Sequence, residues 1–394
     1  KPQVVDALNL GKVTISEPGL ADFISEAVAS GRLRASMEPE ASDAFIITVP
    51  TPITEDKRAD LSFVKSAARS IVPVLKAGDL VILESTSPVG TVDSVLLPIL
   101  EESGLKAGRD FGLGYSPERV IPGKILSELT NNSRIAGGVD AKSAARIAEL
   151  YKSFVKGEIY ETDDRTAEMC KLSENTFRDV NIAFANELAK ICEKQGIDVW
   201  KMIELCNKHP RVNIHNPGPG VGGHCIPVDP WFIVEKEPEI SRIIRTAREM
   251  NDSMPMYVAD KIDSIIAAGG SKAAARDEKI CVLGVTYKPN ADDIRESPVL
   301  ELIALLNERG YDVAYQDPFA CEREDLDAFG DVSQAAAGAE LIVLGVDHDA
   351  YRELDLGVLA DLSSGRKLLD TRNFFKRKDA EAAGFEFFLL GEDR

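Results

Sequence analysis

The sequence has few residues of the kinds that hold metals, cross membranes or cross-link secreted proteins. Its 394 residues include four histidines, none with metal-ligand spacing, and six cysteines without a Cys-x-x-Cys pair. We therefore expect no metal, and reduced thiols rather than disulfides, which favours a cytoplasmic protein. No apolar run approaches the ~18 residues that span a bilayer, so no membrane partner is expected.

Positive charge is also scarce, with 46 basic against 65 acidic residues and a net charge of −19. Such a molecule repels a phosphate backbone, so we expect no nucleic-acid partner. Any anionic ligand must then be bound by a local cluster of Lys and Arg. With 44% hydrophobic residues, the composition is that of an ordinary globular protein with a sizeable core.

Short apolar runs alternate with helical patterns over residues 40–120. Two of the runs, Ala44–Val49 and Leu80–Leu83, predict strands buried on both faces, with a helix near 61–76 between them. This alternation indicates a parallel sheet covered on both sides. Ligands of such sheets bind at the carboxyl ends of the strands, where two polar loops, 50–52 and 84–90, begin.

A phosphate-binding glycine loop is lacking in this lobe. Residues 1–10 already have the pattern of a helix that ends at Gly11, and no strand precedes it. No predicted strand leads into Gly-x-Gly-x-x-Gly. We expect the first βαβ unit of this lobe to be missing from the chain as given.

The rest of the chain predicts a long helix and a second lobe. Apolar residues at a spacing near 3.6 predict one helix over Thr166–Gly196, which would link two lobes and offer a dimer surface. We predict an α/β fold with two Rossmann-like, doubly wound lobes joined by this helix, divided into domains 1–157, 158–254 and 255–394. The strands predicted for the second lobe are Lys279–Gly284, Asp312–Gln316, Leu341–Val346 and Lys367–Asp370.

The sharpest local signal is a glycine-rich loop that runs into a cysteine. Residues 217–230 hold four glycines in six positions, followed by His224 and Cys225. If a helix begins near Cys225, its dipole would favour the nucleophilic thiolate, and Asp229 would lie on the same helix face. A buried structural cysteine in a glycine-rich turn explains the same residues. The two interpretations stay open at this point.

Other candidates occupy the long helix and the ends of strands. Lys171, Asn175 and Arg178 form a polar stripe on the helix, which is equally typical of a solvated face. Thr51, Thr86 and Glu118 follow predicted strands and carry groups that could bond a ligand. Cationic side chains that could hold a diphosphate include Arg211, Lys288, Arg295 and Arg372, of which Lys288 and Arg372 follow strands of the second lobe.

At these residues the chain resembles the UDP-glucose/GDP-mannose dehydrogenase family of nucleotide-sugar 6-dehydrogenases. The matching stretches are 49–52, 84–90, 166–192, 209–211, 217–230 and 293–298, and the resemblance extends from residue 1 to about Arg372. It implies NAD as cofactor, in domain 1–157, and a UDP-sugar in domain 255–394. It also implies a homodimer or a higher homo-oligomer.

The resemblance further implies a four-electron oxidation of a primary alcohol to a carboxylate with two NAD⁺. Cys225 resembles the nucleophile that captures the aldehyde as a thiohemiacetal, and Lys171 the general acid/base. Asn175 and Asp229 would place water and protons, and Glu118 is a further catalytic residue. The implied substrate-binding residues are Arg119, Val120, Arg178, His209, Arg211, Gly222, Tyr287, Lys288 and Arg372. The implied NAD contacts are Thr51, Thr86 and Arg295.

One departure from the family bears on the substrate. Glucose-type members carry Lys directly before the residue that matches Asp229, whereas this chain has Val228. This favours a UDP-N-acetylhexosamine, with UDP-N-acetyl-D-mannosamine as the expected substrate in the synthesis of a cell-surface polysaccharide precursor. The alternatives are UDP-N-acetylglucosamine or another nucleotide hexose. A non-catalytic nucleotide-sugar binding protein is the alternative if the first βαβ unit is truly absent.

Overall fold

A computed structural model describes residues 1–13, 17–121, 123–268, 278–323 and 325–393. The chain divides into two compact units. Unit 1 comprises Lys1–Glu174 and Trp231–Pro238, and unit 2 comprises Asn175–Pro230 and Glu239–Arg394. Two helices therefore contribute residues to both units.

The strands and helices follow one another in α/β alternation. The strands are β1 (Ala44–Ile47), β2 (Leu80–Leu83), β3 (Gly112–Tyr115), β4 (Arg134–Gly138), β5 (Ile159–Asp163), β6 (Lys279–Leu283), β7 (Asp312–Gln316), β8 (Leu341–Leu344), β9 (Lys367–Asp370) and β10 (Glu386–Leu389). The helices are α1 (Pro2–Asn9), α2 (Leu20–Ala29), α3 (Ser62–Ile71), α4 (Leu97–Leu100), α5 (Ile125–Asn131), α6 (Ala141–Lys152), α7 (Asp164–Gln195), α8 (Val199–Cys206), α9 (Asp229–Lys236), α10 (Arg242–Asp252), α11 (Met254–Ala268), α12 (Pro298–Glu308), α13 (Val332–Ala336), α14 (Leu356–Leu362) and α15 (Arg377–Ala382).

Unit 1 is built on a sheet in the order β1-β2-β3-β4-β5. The first three strands are parallel, but β4 runs antiparallel to β3 and parallel to β5. The parallel sheet predicted from residues 40–120 is therefore confirmed for β1, β2 and β3, and the antiparallel strand β4 lies outside that prediction. Because β3 and β4 are antiparallel, the segment that connects them starts and ends at the same edge of the sheet.

Burial along the first two strands differs from the prediction. β2 is buried along its whole length, but Ile46 of β1 is 46% exposed. β1 is the edge strand of the described sheet and ends at Ile47, so the prediction that Ala44–Val49 is buried on both faces is wrong. The helix predicted near 61–76 forms but ends at Ile71, because Pro73 has no N–H to continue it and a 3₁₀ turn follows.

The long helix is confirmed as α7, whose 32 residues span about 48 Å. Gly196, with φ of +68°, follows it in the left-handed region that favours glycine at a helix end. Within unit 2, the large apolar side chains of Phe177, Phe184 and Ile191 are 69%, 49% and 44% exposed. They recur every seven residues and so form one apolar stripe.

Unit 2 contains a wholly parallel sheet in the order β10-β9-β8-β6-β7. Apolar clusters pack against it, and Ser297 caps α12 by accepting from the N–H of Val299, with Pro298 at the first helical position, as predicted. Relative to chain order this is the 2-1-3-4-5 arrangement of doubly wound sheets. The strand order reverses between β6 and β8, which defines the ligand-binding edge of this lobe.

Candidate active site

The loops after β6 and β9 carry the polar side chains that the sequence placed at the ligand-binding edge of unit 2. Tyr287 and Lys288 follow β6, and the Lys288 ammonium lies 5.6 Å from the centre of the Tyr287 ring. Arg372 follows β9, and its Nε donates to the carbonyl of Gly345, at 3.1 Å. A cleft of about 460 Å³, lined also by Trp200 and Asn216, opens beside Arg372.

The glycine-rich loop packs directly against these side chains. A Cβ on Gly222 would lie 2.6 Å from the Cβ of Tyr287, and one on Gly218 would lie 2.6 Å from Nη1 of Arg372. Gly222 has no room for a side chain, because the carbonyl of Glu296 is also 2.6 Å from that position. At Gly218 the end of the Arg372 side chain would have to move. Residues 218–223 have the spacing Gly-x-Gly-x-x-Gly, but they follow no strand and so are not a dinucleotide loop.

Cys225 lies in a turn before a helix rather than at the start of one. Its carbonyl accepts from the N–H groups of Val228, at 3.1 Å, and Asp229, at 2.8 Å, and α9 begins at Asp229. The condition set out from the sequence, a helix that begins near Cys225, is therefore not met, because α9 begins four residues later. The thiol is half-buried and is not in a disulfide. Burial raises the pKa of Tyr287, and the charges of Asp293 and of Cys225 raise it further.

Asp229 and Asn175 are brought together within unit 2. The Asn175 amide donates to Oδ2 of Asp229 at 2.5 Å, and Asp229 is 2% exposed. Since α7 carries Asn175 and α9 begins at Asp229, one hydrogen bond ties the turn of Cys225 to the long helix. A buried carboxylate in the residue that follows the turn of Cys225 can hold water or accept a proton.

Lys171 and Glu118 are brought together within unit 1. The Lys171 ammonium donates to the main-chain carbonyl of Glu118 at 2.8 Å, and the Glu118 carboxylate accepts from the N–H of Val120. Burial raises the pKa of Glu118, against the charge of Lys171, which lowers it. The guanidinium of Arg119, a predicted substrate residue, pairs with Glu174 at 3.0 Å.

The two loops predicted to contact NAD are joined at the carboxyl ends of β1 and β2. The Thr51 hydroxyl donates to the carbonyl of Thr86 at 2.6 Å, and the N–H of Val49 donates to the Ser85 hydroxyl at 2.8 Å. These polar groups lie at the carboxyl edge of parallel strands, where ligands of such sheets bind, and their contact with NAD stays a prediction. Arg295, the third predicted NAD contact, belongs to unit 2, where Asp293 binds its guanidinium through Nε and Nη2.

Three of the predicted substrate residues remain on the surface of unit 2. Arg178, His209 and Arg211 are exposed, and the N–H of Arg211 donates to Nδ1 of His209 at 3.3 Å. Their roles stay predictions.

Sequence reasoning missed a buried polar network that anchors the glycine-rich loop. Asn186 accepts from the N–H of Gly218 at 2.9 Å and donates to Asn251 at 2.9 Å. Asn251 in turn donates to Asp179, which pairs with the fully buried Arg248. Polar residues on the apolar side of α7 and α10 were the available signal, since buried polar groups are nearly always bonded.

Among the described residues, no group of three or more His, Cys, Asp or Glu side chains could hold a metal ion. Likewise, the described helices include none with both the length and the apolar character needed to cross a bilayer.

A doubly wound sheet with a thiol, a carboxylate and a glycine-rich loop near its ligand-binding edge is typical of an oxidoreductase that acts on a nucleotide-linked substrate. Models of the UDP-glucose/GDP-mannose dehydrogenase family match three segments: the NAD-binding domain over residues 1–155, the central domain over 165–253 and the UDP-binding domain over 281–377. The chain belongs to this family and is an NAD-dependent dehydrogenase, not a non-catalytic binding protein.

Similar proteins come from archaea and bacteria. The chain is 46% identical over 385 residues to a UDP-N-acetyl-D-mannosamine dehydrogenase of Methanocaldococcus jannaschii, covering 96% of this chain and 86% of the relative. It is 45% identical over 389 residues to an NDP-N-acetyl-D-galactosaminuronic acid dehydrogenase of Ralstonia solanacearum, covering 95% and 89%. The solved structure of a UDP-N-acetylmannosamine dehydrogenase from Pyrococcus horikoshii matches with a TM-score of 0.92 and 38% identity, covering 99% and 92%.

Proposed function

We propose that the enzyme oxidises UDP-N-acetyl-D-mannosamine at C6 to the uronate. The relatives from Methanocaldococcus jannaschii and from Escherichia coli K12, each 46% identical, are named for this sugar. Val228, in place of the Lys of glucose-type members, supports the same choice. Synthesis of a cell-surface polysaccharide precursor in the cytoplasm is the role that this product chemistry suggests.

The main support for this oxidation is that the turn containing Cys225 is held in place. The carbonyl of Cys225 accepts from the N–H of Asp229, the first residue of α9, and the Asp229 side chain is bonded to Asn175. Gly222, in the loop before Cys225, packs on Tyr287. We assign Cys225 as the nucleophile that adds to the C6 aldehyde, forming a C–S bond. The thiohemiacetal then loses a hydride and a proton to become a thioester, and water cleaves the C–S bond to release the carboxylate and restore the thiol.

Lys171 is assigned as the general acid/base and oxyanion partner. Its ammonium, held by the Glu118 carbonyl, can take the proton of the C6 hydroxyl when neutral and stabilise the negative oxygen when charged. Asn175 and Asp229 would place the hydrolytic water. The raised pKa of Glu118 fits a carboxyl group that exchanges a proton during the reaction.

NAD⁺ supplies the hydride acceptor, so that overall one alcohol and one water become a carboxylate while two NAD⁺ are reduced and three protons are released. Thr51 and Thr86 would hold the cofactor at the ends of β1 and β2. Tyr287, Lys288 and Arg372 would hold the UDP portion. The domains of this proposal are those predicted from the sequence: 1–157, 158–254 and 255–394.

A homodimer is also proposed, with the α7 stripe as its surface. Phe177, Phe184 and Ile191 are large apolar side chains left exposed at heptad spacing on a long helix. A second copy of the same helix would cover them, because such a stripe is self-complementary about a twofold axis.

Turnover measurements decide between candidate substrates. NADH formation is measured with UDP-N-acetyl-D-mannosamine, UDP-N-acetylglucosamine and UDP-N-acetylgalactosamine, and the product is identified by mass. The galactosamine sugar is included because a relative named for galactosaminuronic acid is 45% identical. We expect the mannosamine form to have the highest kcat/KM, and two NADH per uronate. Absence of turnover with it would reject the proposal.

A further inference from the structure

Asp317 of unit 2 stands where a dinucleotide-binding lobe keeps its ribose-binding acid, directly after the second strand of the sheet, β7. Here the side chain is fully buried. One oxygen, Oδ2, accepts from the N–H groups of Val285, at 2.7 Å, and Thr286, at 3.1 Å. The other accepts from the N–H groups of Phe319 and Ala320. No lone pair is left for a ribose.

His348, in the loop after β8, completes the arrangement. Its Nε2 lies 3.0 Å from Oδ2 of Asp317 and 3.2 Å from the Thr286 hydroxyl, while Nδ1 accepts from the N–H of Asn290 at 3.0 Å. Because Nδ1 accepts, the proton of a neutral ring is on Nε2 and points to Asp317. The ring is fully buried beside Phe319, with the ring centres 5.0 Å apart.

The two residues therefore bind both ends of one loop, Thr286–Asn290. Asp317 holds Thr286 at its start, and His348 holds Asn290 at its end, where φ is +57°. The Thr286 hydroxyl also donates to the carbonyl of Lys288 at 3.1 Å. Tyr287 and Lys288 lie between these anchors, and Tyr287 is the side chain that contacts Gly222.

We propose that Asp317 and His348 are positioning residues for the UDP-sugar, which hold Tyr287 and Lys288 in the conformation that binds it. This rests on the proposed function, in which Tyr287 and Lys288 contact the substrate. A preorganised loop avoids the ordering cost that binding would otherwise include. Burial raises the pKa of Asp317, but the hydrogen bonds from His348 and from the N–H groups of Val285 and Phe319 contribute to a net lowering of that pKa, so the carboxylate is a strong acceptor.

The test measures the Kd of UDP and of NAD⁺ by calorimetry on the intact enzyme. His348→Phe keeps the ring but removes both hydrogen bonds, and we expect UDP to bind about tenfold more weakly, as for the loss of one or two bonds. The Kd of NAD⁺ should stay unchanged. His348→Gln, whose amide can both accept and donate, should restore part of the affinity. Phe319→Leu disturbs the same packing without touching a hydrogen bond, and should leave UDP binding unchanged.

A double-mutant cycle with Lys288→Ala distinguishes failure of this inference from failure of the proposed function. If Lys288→Ala alone leaves UDP binding unchanged, the assignment of Lys288 in the proposed function is wrong. If it weakens binding and the loss adds fully to that of His348→Phe, His348 does not act through the loop, and the inference fails. A combined loss clearly smaller than the sum supports it. Should His348→Phe not fold, the cycle is run with His348→Asn, which is too short to reach both partners.

Discussion

At the residue scale, Cys225 owes its position to backbone on both sides of it. Gly222 and Gly223 precede it and leave no room for a side chain beside Tyr287. Its own carbonyl is bonded to the first N–H of α9. A thiol held in this way loses little freedom when a substrate arrives, which is what a nucleophile in a fixed geometry requires.

Cys225→Ser tests the nucleophile. Serine is nearly the same size, but its hydroxyl stays protonated at neutral pH, so covalent capture of the aldehyde should fail. We expect NADH formation to fall by at least about 1000-fold while UDP binding stays within about twofold. Cys321→Ser changes another half-buried thiol and should keep normal turnover. If Cys225→Ser formed uronate at the rate of the unmodified enzyme, the thioester mechanism would be wrong.

Glu168 of α7 predicts a pH dependence of stability. It is fully buried in unit 1 and accepts from the N–H groups of Gly90 and Val92. Burial raises its pKa to about 7. An acid whose pKa is raised on folding stabilises the protein below its unfolded pKa, and this contribution is lost as the pH rises through 7.

Glu168→Gln keeps one of the two acceptor oxygens and removes the titration. We expect the free energy of unfolding of the unmodified protein to fall, relative to the variant, between about pH 5 and pH 8, by at most about 3 kcal/mol. Urea unfolding at both pH values measures it. Equal pH dependence in the two proteins would show that Glu168 does not titrate in this range.

At the scale of elements, the antiparallel strand β4 brings a cation to the carboxyl edge of β2. Arg134 begins β4, and its guanidinium pairs with Glu84, which follows β2, at 3.0 Å. It also lies 4.2 Å from the centre of the Tyr151 ring, whose hydroxyl donates to the same carboxylate. A parallel β4 would have placed Arg134 at the opposite edge.

Arg134→Met tests this buried pair. Methionine fills the space but leaves the Glu84 carboxylate without its cation, so unfolding should become easier by about 3–5 kcal/mol. Thermal unfolding is the measurement. The double variant with Glu84→Gln should recover much of the lost stability. Absence of recovery would mean that lost packing, not the unpaired charge, causes the destabilisation.

Continuous apolar runs identified β2, β6 and β8 because strands buried on both faces have a distinct pattern. The sequence did not reveal β4 and β5, since Arg134–Gly138 holds two glycines and Ile159–Asp163 has only two apolar side chains. At the site, Cys225, Asp229 and Asn175 could be named. The network of Asp179, Asn186, Asn251 and Arg248 could not, because its members are far apart in the chain and meet only after folding.

The exposed stripe of α7 predicts self-association. Phe184→Glu places a charge in the middle of the apolar surface, and we expect the mass in solution, measured by light scattering, to fall to that of one chain. Val358→Glu, at a 50% exposed position on α14, is the matched control and should leave the mass unchanged. An unaltered mass in Phe184→Glu would place the interface elsewhere.

At the scale of the whole molecule, the net charge of −19 opposes the approach of both anionic reactants. Basic groups such as Lys288 and Arg372 act at short range, but the long-range field is repulsive. Salt shortens the range of that field to ~10 Å at 0.1 M.

We therefore expect kcat/KM for the UDP-sugar to rise by about twofold to fivefold when NaCl is raised from about 10 to about 100 mM. Initial rates at low substrate and saturating NAD⁺ measure it, with sucrose of equal osmolarity as the control. A steep fall with salt would mean that the local cations dominate the approach.

The enclosure of Asp317 also limits how this lobe could be redesigned. Grafting a glycine-rich phosphate loop in place of Val285–Asn290 would not create a second nicotinamide site. The graft would change the path of the main chain and move the N–H groups of residues 285 and 286 away from Asp317. The buried carboxylate would then lose two donors, which destabilises the fold. An engineer would need to exchange the acid, the imidazole and the loop together.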